Sequence, residues 1–241
     1  MLKLDIRSGE STIWFGTPRW SNVLDEPLTQ TQVHARLSGA RICLLLHGYR
    51  NQSDNAESTY AKFVDNLEAI GNNPYDIMVG CYMPLSRFLL GFRLARRRAA
   101  KAGQIIHSAL SGLQYASLDI STHSLGGMVA LEAIRDGLHC RHLVMAAPAV
   151  QDHDLEPTSR YGPYVYRVSG KILVGYSRHD PVGWPFRFAT WDRMLGCNGP
   201  QQAGALPDAV IAHDFSDLVT SHSGYMECRQ YLETWRDLAS T

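Results

Sequence analysis

A serine in the middle of the chain lies where a strand-like run meets a helix-like run. Residues 118–121 have a β-like pattern, residues 122–127 read Thr-His-Ser-Leu-Gly-Gly, and a helix is predicted over 128–135 with Gly137 as its stop. A serine hydroxyl is a weak nucleophile, so it reacts only where a base can remove its proton. A sharp strand-to-helix turn lifts a serine out of a sheet to such a position. The pattern therefore predicts that Ser124 is a nucleophile at the apex of a turn.

The residues beside this serine are those that a tight turn requires, with one departure. Positions two before and two after the serine should be small, because the turn brings backbone segments together. Gly126 fits this requirement, whereas Thr122 is β-branched and predicts a turn that is slightly wider or differently tilted. The helix that follows leaves the Leu125 amide free to bind a developing oxyanion.

Two later strand-like runs end in residues that complete the chemistry. The run 171–176 is followed by Ser-Arg-His-Asp-Pro, which contains Asp180, and a loop after the run 209–212 contains His222. Functional groups in parallel sheets gather at the carboxyl ends of strands. The order serine, acid, histidine is the one expected for a hydrolase built on such a sheet. We therefore predict that His222 takes the hydroxyl proton of Ser124 and that Asp180 orients the imidazole ring.

Other acids and histidines compete for these roles. Asp152 and Asp154 follow an earlier strand, where an acid is also placed in some proteins of this kind. His213 is predicted to lie within or too near the last strand to act as base. The remaining competitors are Asp208, Asp214 and Asp217 as acids, His179 and His153 as weaker bases, and His47 and His123 as packing or supporting residues beside the pocket.

The pattern of the whole chain predicts how these residues are positioned. The chain has 241 residues, 45% of them hydrophobic, which suits one domain over 1–241. Short apolar runs at 41–46, 76–82, 118–121, 143–147, 171–176 and 209–212 alternate with helical patterns near 54–70, 87–113 and the C-terminus. This alternation predicts an α/β fold with a mostly parallel sheet and helices on both faces. Residues 2–6 are predicted as an edge strand paired with 12–15, and residues 17–39 as irregular with a short strand near Val33. The long helix is predicted to break near Gly91 or Gly103.

Composition excludes several classes of function. The formal net charge is zero, which argues against nucleic-acid binding as the main task. Five widely spaced cysteines without a Cys-x-x-Cys pair indicate neither a zinc site nor a disulfide framework, and no other metal site is expected. No run of 18 apolar residues occurs, so we expect no stable membrane insertion and a cytoplasmic protein. The sequence leaves the oligomeric state open.

Three segments are candidates for tuning substrate choice. Residues 149–170, rich in tyrosine and proline, form a candidate cap over the site. Residues 86–98 are apolar and basic, typical of a membrane-surface or anionic-substrate helix, although a helix with one packed and one solvated face is favoured. Trp184, Phe186, Phe188 and Trp191 follow the acid and line either an acyl pocket or the core.

Taken together, His47-Gly48-Tyr49 after an apolar strand, the Thr122–Gly127 motif, Asp180 and His222 resemble the α/β-hydrolase superfamily from about residue 41 to the end. Finer details resemble a bacterial branch of uncharacterised α/β-hydrolases. The resemblance implies an α/β-hydrolase fold and an oxyanion hole made by the amides of Tyr49 and Leu125. His47, Trp184 and Phe186 are candidate substrate-binding residues.

We expect a serine hydrolase that cleaves a small-molecule carboxylic ester through an acyl-enzyme and needs no cofactor. A thioesterase, an amidase or a peptidase would use the same triad. A catalytically inactive binding module is the non-enzymatic alternative.

Overall fold

The computed structural model describes residues 1–8, 15–49, 53–85 and 92–241, apart from the side chains of 53–55. In these residues, nine strands form one sheet in the order β3-β2-β1-β5-β4-β6-β7-β8-β9. The pairs β1/β2 and β2/β3 are antiparallel, and all other neighbours are parallel. The strands are β1 Leu2–Arg7, β2 Phe15–Ser21, β3 Pro27–Leu28, β4 Arg41–Leu46, β5 Ile77–Tyr82, β6 Ser117–His123, β7 Leu143–Ala146, β8 Ile172–Tyr176 and β9 Val210–Asp214.

Helices cover both faces of this sheet. They are α1 Gln30–Leu37, α2 Ser53–Ala69, α3 Phe92–Leu110, α4 Leu125–Arg135, α5 Gly183–Thr190, α6 Leu195–Asn198 and α7 Arg229–Ala239. One hydrophobic cluster contains the buried side chains of α1, α3 and α4, and the other contains those of α2 and α7. The predicted α/β class, with a mostly parallel sheet between two helical layers, is confirmed.

The apolar run of β4 shows why the central strands read as continuous hydrophobic segments. Ile42, Leu44 and Leu46 belong to one core cluster, whereas Cys43 and Leu45 belong to the other. Successive side chains of a strand point to opposite faces, and both faces are covered here. The strand therefore has no polar face, and its sequence shows no alternation of apolar and polar residues.

The prediction of an edge strand near the N-terminus is wrong in its position. β1 lies inside the sheet between β2 and β5. Its polar residue Lys3 is buried because its ammonium group forms ion pairs of 2.9 Å with Asp25 and 2.8 Å with Glu57. A buried charge that is paired in this way gives the strand the same alternation of apolar and polar residues as a half-exposed strand. Residues 12–14 of the predicted partner lie outside the described residues, and the observed partner β2 begins at Phe15.

The prediction of a strand near Val33 is also wrong, because Val33 lies within α1. Thr29 and Gln32 form a capping box at the start of this helix: the Thr29 side chain accepts from the Gln32 amide, and the Gln32 side chain accepts from the Thr29 amide. Two of the helix's unpaired amide groups are satisfied in this way. The spacing of Thr29 and Gln32 was the sequence signal for the helix.

The predicted break at Gly103 does not occur, and Gly91 lies outside the described residues. α3 is continuous through Gly103, where a Cβ atom would lie 2.7 Å from the Ala133 nitrogen of α4. The glycine is therefore a close-packing position between two helices and not a helix breaker. The helices α5 and α6 lie in a stretch for which the sequence predicted no element.

The candidate cap segment packs against the C-terminal half of α4. The Tyr161 hydroxyl donates to Glu132 at 2.7 Å, and the Arg167 guanidinium donates to the carbonyls of Ile134 and Arg135. A 3₁₀ helix, Gly162–Arg167, directly follows Tyr161 and ends at Arg167. A function of this segment as a cap stays a prediction.

Among the described residues, no helix has the length and apolar character needed to cross a membrane.

Candidate active site

Ser124 occupies the turn between β6 and α4 in a backbone conformation that is rare for a residue with a side chain. Its φ is 55° and its ψ is −121°. Its N–H donates to the Ala146 carbonyl at 2.9 Å, and its carbonyl accepts from Gly127 at 3.1 Å and from Ala149 at 3.0 Å. Such a conformation persists only where surrounding contacts fix it. The serine is therefore held rigidly at the carboxyl end of a central strand.

Two glycines allow the backbone around this serine to close. A Cβ atom at Gly126 would lie 2.4 Å from the Leu46 carbonyl oxygen, and one at Gly48 would lie 2.8 Å from the Ser124 Cβ. The first distance explains the need for a small residue two positions after the serine. The second brings the loop after β4 against the serine. Thr122 is buried and its hydroxyl donates to the Val144 carbonyl at 3.4 Å. The wider turn predicted from Thr122 stays a prediction.

The residues predicted as acid and base contact each other. His222 Nδ1 lies 2.6 Å from Asp180 Oδ2, and the Asp180 side chain is fully buried. Asp180 Oδ1 accepts from the Val182 amide at 2.9 Å, which fixes the carboxylate. A carboxylate at Nδ1 favours the tautomer with its hydrogen there, so Nε2 has the lone pair that accepts a proton.

His123 connects the loop of His222 to the serine turn. Its Nε2 lies 2.8 Å from the His222 carbonyl oxygen, and the two rings are 4.7 Å apart between centroids. Burial, together with the neighbouring His222, lowers the pKa of His123 to about 4. The neutral ring therefore donates from Nε2 to the His222 carbonyl. This hydrogen bond holds the His222 backbone against His123, the residue that precedes Ser124. Sequence reasoning placed His123 only as a supporting residue and contained no signal for this hydrogen bond.

Ser177 makes a second connection between the loops of the acid and the base. Its hydroxyl donates to the Val219 carbonyl and accepts from the His179 amide at 3.2 Å. The strands β8 and β9, which precede these loops, are neighbours in the sheet. Residues far apart in sequence are thus held together by adjacent strands and by one buried hydroxyl, which sequence reasoning missed.

His47 lies in the loop after β4, and both of its ring nitrogens form hydrogen bonds. Nδ1 donates to the Gly48 carbonyl at 2.9 Å, and Nε2 accepts from the Met83 amide at 3.0 Å. Burial lowers the pKa of His47 to about 4. Its backbone amide donates to the Tyr60 hydroxyl at 2.9 Å, and that hydroxyl donates to the Cys81 carbonyl at 2.8 Å. These contacts fix the loop that leads to Tyr49.

The predicted oxyanion residues are Leu125, which directly follows Ser124, and Tyr49, which lies in the loop after β4. Leu125 is the first residue of α4, where amides have no carbonyl partner within the helix. Tyr49 follows Gly48, the glycine that touches Ser124, and its ring lies edge-on to Phe92 with centroids 5.9 Å apart. A negative charge that develops near the start of α4 is favoured by the helix dipole.

The aromatic candidates for substrate binding differ in exposure. Phe186 is buried and contacts Phe92, with ring centroids 5.6 Å apart. Trp184 is 71% exposed. Phe186 therefore belongs to the packed layer behind the loop of Tyr49, while Trp184 faces solvent on the opposite side of α5.

The competing acids and bases have other partners. Asp214 accepts from the Ser216 amide and pairs with Arg178 at 3.2 Å. His213 lies within β9, as predicted, and stacks on Phe215. His179 donates its amide to Ser177, the contact described above.

One further group could offer ligands to a cation. Asp152, His153 and Asp192 present ligand atoms within 4.8 Å of one another. Arg193 already lies 3.3 Å from the Asp152 carboxylate, and Gln151 donates to Asp192 at 2.7 Å. Arg193 therefore offsets part of the negative charge of this cluster, which is separate from the contact between Asp180 and His222.

The placement of the three residues follows the topology of the sheet. Ser124 follows β6, Asp180 follows β8 and His222 follows β9, all at the carboxyl ends of parallel strands. A mostly parallel sheet with a serine at a strand-to-helix turn and the acid and histidine after later strands is the α/β-hydrolase fold.

Comparison with known proteins finds similarity to solved structures only. No family description matches the chain, and no curated protein matches it in sequence. A YdeN-like hydrolase from Pectobacterium atrosepticum is 16% identical over 83% of this chain and 91% of its own, with a TM-score of 0.39. The esterase Pf2001 from Pyrococcus furiosus is 11% identical over 85% of this chain and 84% of its own, with a TM-score of 0.49.

A structure described with the metagenome-derived lipolytic enzymes LipS and LipT is 12% identical over 84% of this chain and 95% of its own, with a TM-score of 0.46. At these identities and TM-scores the similarities do not bear on activity.

Proposed function

We propose that the chain is a serine hydrolase that cleaves a carboxylic ester through an acyl-enzyme. The observation that carries this proposal is the 2.6 Å contact between His222 Nδ1 and Asp180 Oδ2, held beside the strained turn of Ser124. A buried carboxylate, an oriented imidazole and a serine at a strand end are the parts that such chemistry requires. Each follows a different strand, so proximity along the sequence does not explain the contact between Asp180 and His222.

In the first half-reaction, the Ser124 Oγ attacks the ester carbonyl carbon while His222 Nε2 takes the hydroxyl proton. The carbonyl oxygen becomes an oxyanion, which the amides of Tyr49 and Leu125 bind. When the intermediate collapses, the bond to the alcohol oxygen breaks and His222 returns the proton to the departing alkoxide. The acyl group remains on Ser124, and an alcohol is released.

In the second half-reaction, water attacks the acyl carbon and gives its proton to His222. The bond to Ser124 Oγ then breaks, the serine recovers its proton from His222, and a carboxylic acid leaves. Asp180 stays ionised and stabilises the imidazolium in both steps. Each amide that binds the oxyanion is worth roughly 10²–10³ in rate in comparable sites.

We assign His47 a positioning function within the candidate binding region. Its two ring hydrogen bonds join Gly48 to Met83, so it sets the direction of the loop that presents the Tyr49 amide. A ring with both nitrogens engaged and a pKa of about 4 is not suited to accept a proton near neutral pH. Phe186 supports this loop through Phe92, and Trp184 is accessible to a substrate that enters beside Asp180.

The experiment that tests the proposal is hydrolysis of a short-chain nitrophenyl ester by wild type, Ser124→Ala and His222→Ala. Both variants should lose at least about 10³-fold in kcat, because the nucleophile and its base act as a unit. The matched controls are Ser223→Ala, next to His222 and exposed, and His213→Ala, the competing base. If Ser124→Ala retains the wild-type rate, or if His213→Ala is the inactive histidine variant, the assignment is wrong.

The leaving group is a separate question, because the triad fixes the chemistry and not the substrate. An ester, a thioester and an amide with the same acyl group should be compared under identical conditions. We expect the ester to give the highest kcat/KM. A kcat/KM that is higher for the thioester would replace esterase by thioesterase without changing the assigned residues.

A further inference from the structure

Three large aromatic side chains are exposed together on α5 and the turn after it. Trp184 is 71% exposed, Phe188 71% and Trp191 82%. Trp184 and Phe188 are four residues apart on the helix, and their ring centroids are 6.4 Å apart. Exposed aromatic residues that are grouped in this way are uncommon on soluble surfaces and mark interaction sites. We call Trp184, Phe188 and Trp191 the aromatic face.

Arginines border the aromatic face. Arg187 lies on α5 between its members and is exposed. Arg93 and Arg97 are exposed on the first turns of α3, and the Arg93 guanidinium donates to the Ala189 carbonyl of α5 at 2.9 Å. Within the described residues, no carboxylate pairs with these three arginines. The two helices therefore present one continuous surface that is both apolar and positively charged.

A cleft of about 240 Å³ lies at the edge of this surface. Arg178, Arg187, Arg193 and Trp184 line it, together with Asp180 and Asn198. Two of these arginines have carboxylate partners, because Arg178 pairs with Asp214 and Arg193 pairs with Asp152. Asp180, the carboxylate that lines the cleft, binds His222. Arg187 also lines the cleft and has no carboxylate partner among the described residues, so its guanidinium is available to bind an anionic group of a ligand.

Indole rings with exposed arginines beside them match the surface of an anionic lipid bilayer. Tryptophan favours the boundary between headgroups and acyl chains, because its ring is apolar and its N–H is polar. Arginine binds headgroup phosphate through two parallel hydrogen bonds. The formal net charge of the chain is zero, so the part of the chain outside this basic surface carries a net negative charge. This asymmetry would orient the protein.

Docking at this surface would bring the candidate active site close to the membrane. α5 begins at Gly183, three residues after Asp180, and the Asp180 carboxylate accepts from the Val182 amide at the start of the helix. On the inner side of α5, Phe186 packs on Phe92, which in turn packs on Tyr49. The aromatic face is thus built on the same packed layer that supports the loop of Tyr49.

We propose that α5 and the first turns of α3 form a docking surface for anionic lipid membranes, with the aromatic face entering the interface and Arg93, Arg97 and Arg187 binding headgroup phosphates. This is peripheral binding and requires no membrane-spanning segment. The docking does not depend on hydrolysis, so it goes beyond the proposed function and is tested separately from it.

The test is flotation of the Ser124→Ala protein with vesicles of pure phosphatidylcholine and of phosphatidylcholine mixed with phosphatidylglycerol. We expect binding to the anionic vesicles only, a blue shift of tryptophan emission on binding, and weaker binding as salt is added. The Phe188→Ala/Trp191→Ala double variant should lose at least about ten-fold in partitioning. Each of Arg97→Gln and Arg187→Gln should lose about five-fold.

The matched controls lie elsewhere on the surface. Tyr166 is 71% exposed, like Phe188, and Arg36 is exposed on α1. Tyr166→Ala and Arg36→Gln should bind like the parent protein. Equal binding to both kinds of vesicle, no binding to either, or loss in the controls as large as in the docking variants would overturn the proposal. A dimer in sedimentation that disappears in the Phe188→Ala/Trp191→Ala variant would overturn it in favour of a second copy of the chain.

Discussion

Replacement of Gly126 by alanine is the substitution most directly connected to the geometry of the serine turn. The Cβ atom would lie 2.4 Å from the Leu46 carbonyl oxygen and 2.9 Å from the His47 carbonyl oxygen. Unstrained contacts between such atoms lie at roughly 3.5 Å, so the overlap is about 1 Å. Both obstructing atoms belong to backbone at the end of β4, which cannot turn aside as a flexible side chain can. α4 must therefore move away from β4, and it carries Ser124 with it.

The magnitude of this effect follows from the size of the overlap. Overpacking of a close-packed interior costs about 1–3 kcal/mol in free energy of unfolding. A displacement of about 1 Å of a reacting group costs on the order of 100-fold in rate. We therefore expect Gly126→Ala to lose about 100-fold in kcat/KM for a nitrophenyl ester and about 1–3 kcal/mol in stability.

The assay combines ester hydrolysis with urea unfolding of the same preparations. The matched control is Gly204→Ala, because no atom lies within 4 Å of the Cβ position at Gly204. Its kcat/KM and free energy of unfolding should equal those of wild type within about 0.5 kcal/mol. Equal values for Gly126→Ala and Gly204→Ala in both measurements would show that the close approach of α4 to β4 does not constrain the serine.

Three further predictions test the supporting contacts. Asp180→Asn should lower kcat about 10³–10⁴-fold in steady-state kinetics, because the imidazole of His222 loses its fixed tautomer. Asp214→Asn should leave kcat unchanged. Equal effects of the two substitutions would contradict the assignment of Asp180 as the acid. Tyr60→Phe should lower the free energy of unfolding in urea by about 1–3 kcal/mol, because the buried His47 amide and Cys81 carbonyl lose their partner. Tyr231→Phe is the control and should cost little, since its buried hydroxyl has no partner among the described residues. A larger loss for Tyr231→Phe than for Tyr60→Phe would contradict these hydrogen bonds. The pKa of His123 is lowered from 6.5 to about 4, so the unfolded chain takes up this proton first and the free energy of unfolding falls as pH drops from 6.5 to 4, by about 3 kcal/mol for this group. His123→Gln should therefore reduce the slope of stability against pH in this window by about one proton, and an unchanged slope would show that His123 does not titrate there.

The central sheet could be predicted from sequence because its strands are short apolar runs that alternate with helical patterns. Ser124, Asp180 and His222 could be proposed because each follows such a run, and parallel strands bring their carboxyl ends to one edge of the sheet. The pairing of Asp180 with His222 was proposed from these positions and from the order serine, acid, histidine along the chain.

The rest depended on contacts between distant segments. The interior strand β1 was predicted as an edge strand because it contains the polar residue Lys3. The ion pairs that allow Lys3 to be buried come from residues 25 and 57, which are distant in sequence. Gly103 resembled a helix breaker because the sequence does not state that α4 lies against it. Val33 was assigned to a strand although Thr29 and Gln32 carried a local helix signal, so this error came from overlooked capping and not from tertiary structure.

The hydrogen bond from His123 to the His222 carbonyl and the connection made by Ser177 have no local pattern at all. Both join loops that are far apart in sequence. Such supporting residues become visible only when the loops are seen together, although they hold the residues that the sequence does identify.

Labelling with a fluorophosphonate probe, followed by peptide mapping, tests directly whether Ser124 is an activated nucleophile. The phosphorus atom is attacked by an activated serine, so labelling reports the nucleophile without knowledge of the natural substrate. We predict a single adduct on Ser124 that is lost in His222→Ala and retained in His213→Ala. A native protein that forms no adduct on Ser124, or forms it equally well without His222, would contradict the assignment of an activated serine at this site.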